Sequence, residues 1–153
     1  MGDTFIDSNI ESALAEHGEI MACSSGVSMF PMVRHRKDMV VIEKVNRELK
    51  KYDVPVYRLN SGKIVMHRIL EVRPDCYVIR GDNLLHKEYI KPEQIIGVLK
   101  AFYRNGKQVD CATSKGYKFY VFWIMHSYWL RYLWKKIVRP ILSKLKHFIL
   151  KIK

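Results

Sequence analysis

The chain has 153 residues, of which 48% are hydrophobic, and these values exclude wholesale disorder and leave room for one ordinary domain. Its 27 Lys and Arg residues against 15 Asp and Glu residues give a formal net charge of +12, which indicates a nucleic acid, an acidic protein or an anionic membrane as partner. Residues 1–116 hold all of the acids, whereas residues 117–153 hold basic residues and no acid. The sequence therefore predicts a nearly neutral domain followed by a basic tail.

Residues 1–18 are predicted to contain a helix, because apolar side chains recur at helical spacing over residues 4–17 and Gly18 is a suitable stop. Over residues 19–108 the pattern changes to short runs rich in Val, Ile and Tyr, which are typical of β-strands. The predicted strands are Glu19–Ser24, Met39–Glu43, Val54–Leu59, Lys63–Val72, Tyr77–Arg80 and Ile95–Tyr103. The predicted fold class is therefore mainly β, a compact and mostly antiparallel β domain with a helix in front.

Residues 109–118 are predicted to form a linker, and residues 119–153 a basic amphipathic helix that Pro140 kinks or splits. The apolar stretch Phe119–Leu130 is shorter than the roughly 20 residues that a membrane-spanning helix needs. This pattern favours a helix lying in peripheral contact with a membrane. The alternative is a helix packed on its own domain or on a partner. Nucleic-acid binding is disfavoured, because the basic residues are interleaved with an aliphatic stripe.

The three cysteines, Cys23, Cys76 and Cys111, are odd in number and fit no metal-ligand spacing. We therefore expect no disulfide framework, no metal site and no cofactor, and a reducing compartment is favoured. The N-terminal segment is acidic where a signal peptide needs a basic segment and an apolar stretch, so no cleavable signal peptide is expected. The expected location is the cytoplasm or the periphery of a membrane.

Ser28 is a candidate nucleophile. It lies between a glycine turn at Gly26 and a proline at Pro31, after one predicted strand and before another. A nucleophilic serine needs a rigid backbone close to a base and to oxyanion donors. Gly26 permits close approach of a substrate backbone, and Pro31 restricts the chain beyond the nucleophile. The alternative for this segment is ordinary turn chemistry.

His67 is a candidate general base, since its unperturbed pKa lies near neutrality. Strand alternation places it on one face with Val65 and Ile69, where a satisfied core histidine is the alternative role. Farther along, Gly81-Asp82-Asn83 is typical of a turn. A carboxylate in this region is also suited to orienting the imidazole of His67.

Taken in this order, the three segments resemble the serine peptidases of the type I signal peptidase and LexA-repressor clan. The matching segments are the nucleophile box Ser28–Pro31, the general-base strand Val65–Ile69, the Gly-Asp-Asn box Arg80–Asn83 and the core strand Ile95–Val98. The chain is most similar to small, uncharacterised bacterial members of the clan. These share an acidic Ala-Leu-Ala helix, here Glu11–Glu16, and an Asp-Val-x-x-Tyr-Arg strand, here Asp53–Arg58.

The resemblance implies a hydrolase, a serine endopeptidase that cleaves a peptide or protein precursor, on the signal peptidase/LexA fold. Ser28 would attack the scissile carbonyl, and His67 would be the base, as in the endoplasmic-reticulum and archaeal branch. Glu88 would stand where that branch has its third acid, while Asp82 would shape the turn and support the base. The backbone N–H of Ser28, with another from Gly26 or its neighbourhood, would form the oxyanion hole.

The chain also departs from the clan's pattern. It shows no counterpart of the membrane helix of bacterial signal peptidases, nor of the DNA-binding domain and self-cleavage site of LexA-like members. These differences leave the substrate open. The alternative function is a non-catalytic module on the same fold that binds an extended peptide by strand addition, as a chaperone or maturation factor.

Overall fold

The computed structural model describes residues 10–142, which divide into two compact units after Tyr117. The first unit begins with helix α1, Ile10–His17, so the part of the predicted helix over residues 4–9 lies outside the described residues. The strands that follow are β1 Glu19–Cys23, β2 Met39–Glu43, β3 Pro55–Arg58, β4 Ile64–Met66, β5 Arg68–Val72, β6 Tyr77–Arg80, β7 Glu88–Ile90, β8 Ile95–Arg104 and β9 Lys107–Asp110. A 3₁₀ turn, Pro92–Gln94, precedes β8.

These strands form two antiparallel sheets. The larger sheet has the order β1-β2-β8-β3-β4, with β9 paired to β8, and the smaller sheet has the order β5-β6-β7. The mainly antiparallel β class predicted from the sequence is therefore confirmed. The core lies where both sheets contribute apolar side chains, and its fully buried members include Tyr57 of β3, Val65 of β4 and Ile79 of β6.

The strand predicted at Lys63–Val72 is in fact two strands. Its first half, β4, pairs with β3 in the larger sheet, whereas its second half, β5, pairs with β6 in the smaller sheet. His67 is the single residue between them. The candidate base therefore lies at the point where the chain passes from one sheet to the other.

The linker predicted over residues 109–118 is largely ordered secondary structure. Strand β9 continues to Asp110, and helix α2, Lys115–His126, begins before the predicted end of the linker. Only residues 111–114 separate these two elements. The carboxylate of Asp110 accepts hydrogen bonds from the N–H groups of Ala112 and Thr113, which makes this connection a tight turn.

The second unit is helical over its described residues, 118–142. Helix α2 is followed by α3, Tyr128–Leu133, and by a π-helical turn, Trp134–Val138. Ser127 separates α2 from α3, but its N–H still donates an i, i+4 hydrogen bond to the carbonyl of Trp123 at 2.9 Å. The π turn comes just before Pro140, which cannot donate an intrahelical hydrogen bond. Within residues 10–142, no helix is long and apolar enough to cross a bilayer.

Candidate active site

The loop that carries Ser28 connects β1 to β2 and is held against the turn that follows β6. The carbonyl of Ser28 accepts a hydrogen bond from the N–H of Asn83 at 2.7 Å, and Asn83 Nδ2 donates to the carbonyl of Val27 at 3.0 Å. From β8, the guanidinium of Arg104 donates to the carbonyls of Pro31 and Met32. The backbone of the nucleophile box is therefore fixed on both sides of Ser28.

The same turn is linked to the strand that follows His67. Strands β5 and β6 pair with Arg68 opposite Arg80, so this pair is flanked in the chain by His67 on one side and by Gly81 on the other. A Cβ atom on Gly81 would lie only 2.8 Å from the carbonyl oxygen of Ser28, so glycine permits this close approach. The fold thus brings together the three segments that the sequence singled out.

Gly81→Ala should displace the nucleophile loop and lower the free energy of unfolding by about 1–3 kcal/mol, as overpacking of a close contact usually does. The added methyl group would meet a backbone oxygen, which a side-chain rotation cannot move away. Gly116→Ala is the matched control, because the nearest atom there would be 3.8 Å away and alanine favours a helix. Equal stability of the two variants in urea titrations would show that the Gly81 contact relaxes at little cost.

His67 is buried, with 3% of its surface exposed, and its Nδ1 atom faces Tyr57 and Glu88. Tyr57 Oη lies 2.8 Å from Nδ1 and donates its proton to Glu88 Oε2 at 2.6 Å. Glu88 Oε2 itself is 3.4 Å from Nδ1. Because a phenol has one proton and Glu88 receives it, Tyr57 Oη accepts a hydrogen bond from Nδ1–H. This arrangement leaves the lone pair of a neutral imidazole on Nε2.

The Nε2 atom of His67 is buried and makes no hydrogen bond to any residue within 10–142. No hydrogen bond therefore joins it to Ser28 Oγ in this structure, and Ser28 itself is only 4% exposed. A neutral imidazole with an available Nε2 is the form that a general base requires, and catalytic hydrogen bonds often shorten only when substrate binds.

Glu88 is ionised over the neutral pH range. Hydrogen bonding to His67, and then to Tyr57, outweighs desolvation and lowers the pKa of Glu88 from 4.5 to about 2. Burial, followed by the hydrogen bond to Glu88, raises the pKa of Tyr57, so the phenol keeps its proton. The second oxygen of Glu88 lies 3.3 Å from His86 Nε2. A carboxylate in this position can stabilise the imidazolium that forms when His67 accepts a proton.

Because the folded-state pKa of Glu88 is depressed, its contribution to stability should be complete above pH 4.5 and should be lost as the pH falls towards 2. We expect this contribution to be of the order of 2 kcal/mol. Glu88→Gln should remove it, so the stability difference from wild type should shrink as the pH falls from 5 to 2. Urea unfolding across this range measures the difference. Glu71→Gln, which affects an exposed pair with Arg73, is the control, and its stability should stay close to that of wild type at every pH.

Asp82 forms a buried ion pair with Arg68. Its Oδ1 accepts from Arg68 Nε at 2.8 Å and its Oδ2 from Arg68 Nη2 at 2.7 Å, with both side chains 0% exposed. Arg68 also donates to Met32 Sδ at 3.0 Å and to Tyr117 Oη at 2.9 Å. Asp82 therefore ties the general-base strand to the nucleophile loop through Arg68. The carboxylate at the imidazole is that of Glu88, whereas the bonds described for Asp82 go to Arg68, the residue after the candidate base.

Gly26 does not offer an available oxyanion donor in this structure. Its N–H donates to Nδ1 of His35 at 2.6 Å, although the sequence analysis placed this N–H in the oxyanion hole. Gly26 has φ of 104°, a conformation that favours glycine. The imidazole of His35 would have to move before the Gly26 N–H could bind a substrate oxygen.

Tyr57 is the site residue that the sequence analysis did not identify. It pairs with Val65 across β3 and β4, and His67 is two residues further along on the same face. The signal was present in the Asp-Val-x-x-Tyr-Arg segment. A tyrosine in a run of valines is ordinarily a core residue, however, and Tyr57 is indeed fully buried.

Two further findings concern what the site can hold and what it is similar to. Among residues 10–142, no group of three or more His, Cys, Asp or Glu side chains is placed to hold a metal ion. Comparison of the chain with protein-family models, curated proteins and solved structures finds no match. The assignment of a function therefore depends on the residues and their geometry.

Proposed function

We propose that the chain is a serine endopeptidase resembling signal peptidase I, built on the signal peptidase/LexA type of β domain, with Ser28 as nucleophile and His67 as base. The observation that carries the proposal is the orientation of His67. Tyr57 and Glu88 hold its Nδ1–H, while its buried Nε2 makes no hydrogen bond within residues 10–142. The strand that begins at the next residue, Arg68, pairs with the strand that leads into the turn holding the Ser28 loop. A core histidine would need neither an ionised carboxylate nor an unsatisfied ring nitrogen.

In the proposed reaction, Nε2 of His67 accepts the proton of Ser28 Oγ while Oγ bonds to the scissile carbonyl carbon. The backbone N–H of Ser28 would donate to the resulting oxyanion. The imidazolium then protonates the leaving amine, and the C–N bond breaks to give an acyl-enzyme. Nε2 next deprotonates a water molecule, which attacks the ester and restores Ser28. Substrate binding would have to bring Oγ within hydrogen-bond reach of Nε2.

Covalent trapping tests this proposal directly. The full-length protein would be treated with a fluorophosphonate and with peptides that have small residues before the cleavage point, and mass spectrometry would locate the adduct. We expect one adduct, on Ser28, together with peptide cleavage that the reagent abolishes. Cleavage that continues after complete labelling of Ser28, or labelling that is unchanged in Ser28→Ala, would contradict the proposal.

A non-catalytic peptide-binding module is the second candidate. The burial of Ser28, the absence of a hydrogen bond to His67 Nε2 and the contact of Gly26 N–H with His35 favour it. It predicts that an extended peptide binds equally well to wild type and to Ser28→Ala, with no turnover by either. Isothermal titration with the peptides used in the cleavage assay, followed by mass analysis of the recovered peptide, would distinguish binding from hydrolysis.

Tyr57→Phe should lower kcat by roughly 10- to 100-fold, because the phenol hydroxyl sets the position of the imidazole and small misplacements of catalytic groups have effects of this size. The ring that fills the core is retained, so the fold should be preserved. Tyr103→Phe is the matched control, since it removes a hydroxyl that donates a hydrogen bond to the exposed Gln108 side chain. An unchanged kcat for Tyr57→Phe, measured over the full pH profile, would mean that Glu88 orients His67 without the phenol.

A further inference from the structure

The second unit exposes an unusual number of large apolar side chains. Five aromatic residues are between 47% and 70% exposed, namely Phe119, Phe122, Trp123, Trp129 and Trp134. Exposed aliphatic residues follow them along the chain, among them Leu130 and Ile137. Single exposed apolar residues are common, but contiguous patches mark surfaces that bind a partner or a membrane.

The exposed apolar residues form a stripe along the helix. At about 100° per residue, Phe119, Phe122 and Trp123 share one side of α2, and the buried Val121 and Ile124 lie on the opposite side. The i, i+4 hydrogen bond from Arg131 N–H to the Ser127 carbonyl, at 3.0 Å, continues the helix past the interruption. Beyond it, apolar residues recur every three or four positions, so the stripe extends into the π-helical turn.

The rest of the helix surface is basic and contains no acid. The chain has no Asp or Glu after Asp110, and the Lys and Arg residues within 118–142 are Lys118, Arg131, Lys135, Lys136 and Arg139. Burial is the main cause that lowers the pKa of Lys135, and the neighbouring guanidinium groups of Arg131 and Arg139 lower it further. An anionic surface would be attracted by this set of neighbouring cations.

We propose that residues 118–142 dock on the surface of an anionic phospholipid bilayer as a helix lying in the plane of the membrane. The aromatic and aliphatic stripe would enter the boundary between headgroups and acyl chains, where Trp and Tyr are enriched, and the Lys and Arg side chains would contact lipid phosphates. A nucleic acid would match the charge but would leave the apolar stripe in water. Over the part of the chain that the structure describes, no helix is long and apolar enough to cross a membrane.

The chain contains its own reporter for this docking. All three tryptophans of the protein, Trp123, Trp129 and Trp134, lie in the proposed surface and are exposed. Full-length protein would be mixed with extruded vesicles of phosphatidylcholine, with or without phosphatidylglycerol. We expect co-flotation, a blue shift of Trp emission and protection from an aqueous quencher with the anionic vesicles. Brominated lipids should quench the emission most strongly at a shallow depth.

Variants separate the apolar contribution to vesicle binding from the electrostatic contribution. Leu130→Ser should weaken binding to anionic vesicles about tenfold. The Leu130 side chain is 71% exposed, and its replacement by serine removes the apolar surface that would be buried in the lipid. Lys136→Gln should weaken binding about fivefold and reduce its dependence on salt. The matched controls are Val72→Ser, at a side chain that is 48% exposed on β5, and Lys107→Gln on β9, and both should bind as wild type does.

Several results would overturn the proposal. The first is Trp emission that anionic vesicles do not change, and the second is equal binding to vesicles of phosphatidylcholine alone. The third is a loss of binding in Val72→Ser or Lys107→Gln that is as large as the loss in Leu130→Ser. A blue shift that grows with protein concentration in the absence of lipid would show instead that a second copy of the chain covers the stripe. The lipid-quenching measurement on wild type needs no variant, so a variant that misfolds would not leave the proposal untested.

Discussion

Replacement of Ser28 or His67 by alanine is expected to lower peptide cleavage by roughly 10³- to 10⁶-fold, because each residue acts only in concert with the other. Without Ser28 Oγ no acyl-enzyme can form. Without His67 the hydroxyl would keep its proton, since the proposed mechanism makes the imidazole Nε2 the base that accepts it. The measurement is kcat/KM on a peptide that wild type cleaves.

The double variant tests whether the two residues act as a unit. Ser28→Ala/His67→Ala should be no slower than the slower single variant, since removing a second member of a broken unit adds little. Ser25→Ala, in the same loop, and His17→Ala, on α1, are the matched controls and should retain near-normal rates. Cleavage at equal rates by wild type and all of these variants would show that the activity resides elsewhere or in a contaminant.

Strands were predictable where hydrophobic runs were long and strongly β-forming. The bounds of β2 at Met39–Glu43 and of β6 at Tyr77–Arg80 are confirmed. The missed strand β7 has only three residues and β9 is short and largely polar. Neither is long enough to show a recognisable alternation of apolar residues, and both depend on pairing with β6 and β8. The passage of the chain from one sheet to the other at His67 was not predictable either. Side chains alternate between the two faces of a strand whichever sheet the strand joins, so the hydrophobic pattern does not mark the change.

The sequence indicated which segments belong to the candidate site, but it did not indicate which side chains contact one another within it. Motif order indicated that the loop of Ser28, the strand of His67 and the Gly-Asp-Asn turn belong to one site, and the structure joins the first and the third of these through Asn83. Strand alternation also put His67 and Arg68 on opposite faces, but it did not say which acid each would meet. That choice depends on the register between β5 and β6, which brings Asp82 to Arg68, and on β7, which brings Glu88 to His67.

Asp82→Asn is expected to lower the free energy of unfolding by about 3–5 kcal/mol, the largest stability change that we predict for a single residue. The Arg68 guanidinium is 0% exposed, and its Nε and Nη2 atoms both donate to the Asp82 carboxylate. The substitution would remove that negative charge while the guanidinium stays buried. Urea or thermal unfolding measures the change. Glu11→Gln, which breaks an exposed pair with Arg58, is the control and should alter stability by less than about 1 kcal/mol.

The double replacement Arg68→Met/Asp82→Leu tests whether the buried ion pair contributes to catalysis rather than to stability. Because removing both charges avoids an uncompensated buried ion, this variant should be more stable than Asp82→Asn and close to wild type. Its catalytic rate should nevertheless fall, since Arg68 also donates to Met32 Sδ and so links the general-base strand to the nucleophile loop. A stable double variant with wild-type kcat would mean that Gly81, Asn83 and Arg104 alone hold Ser28 in place.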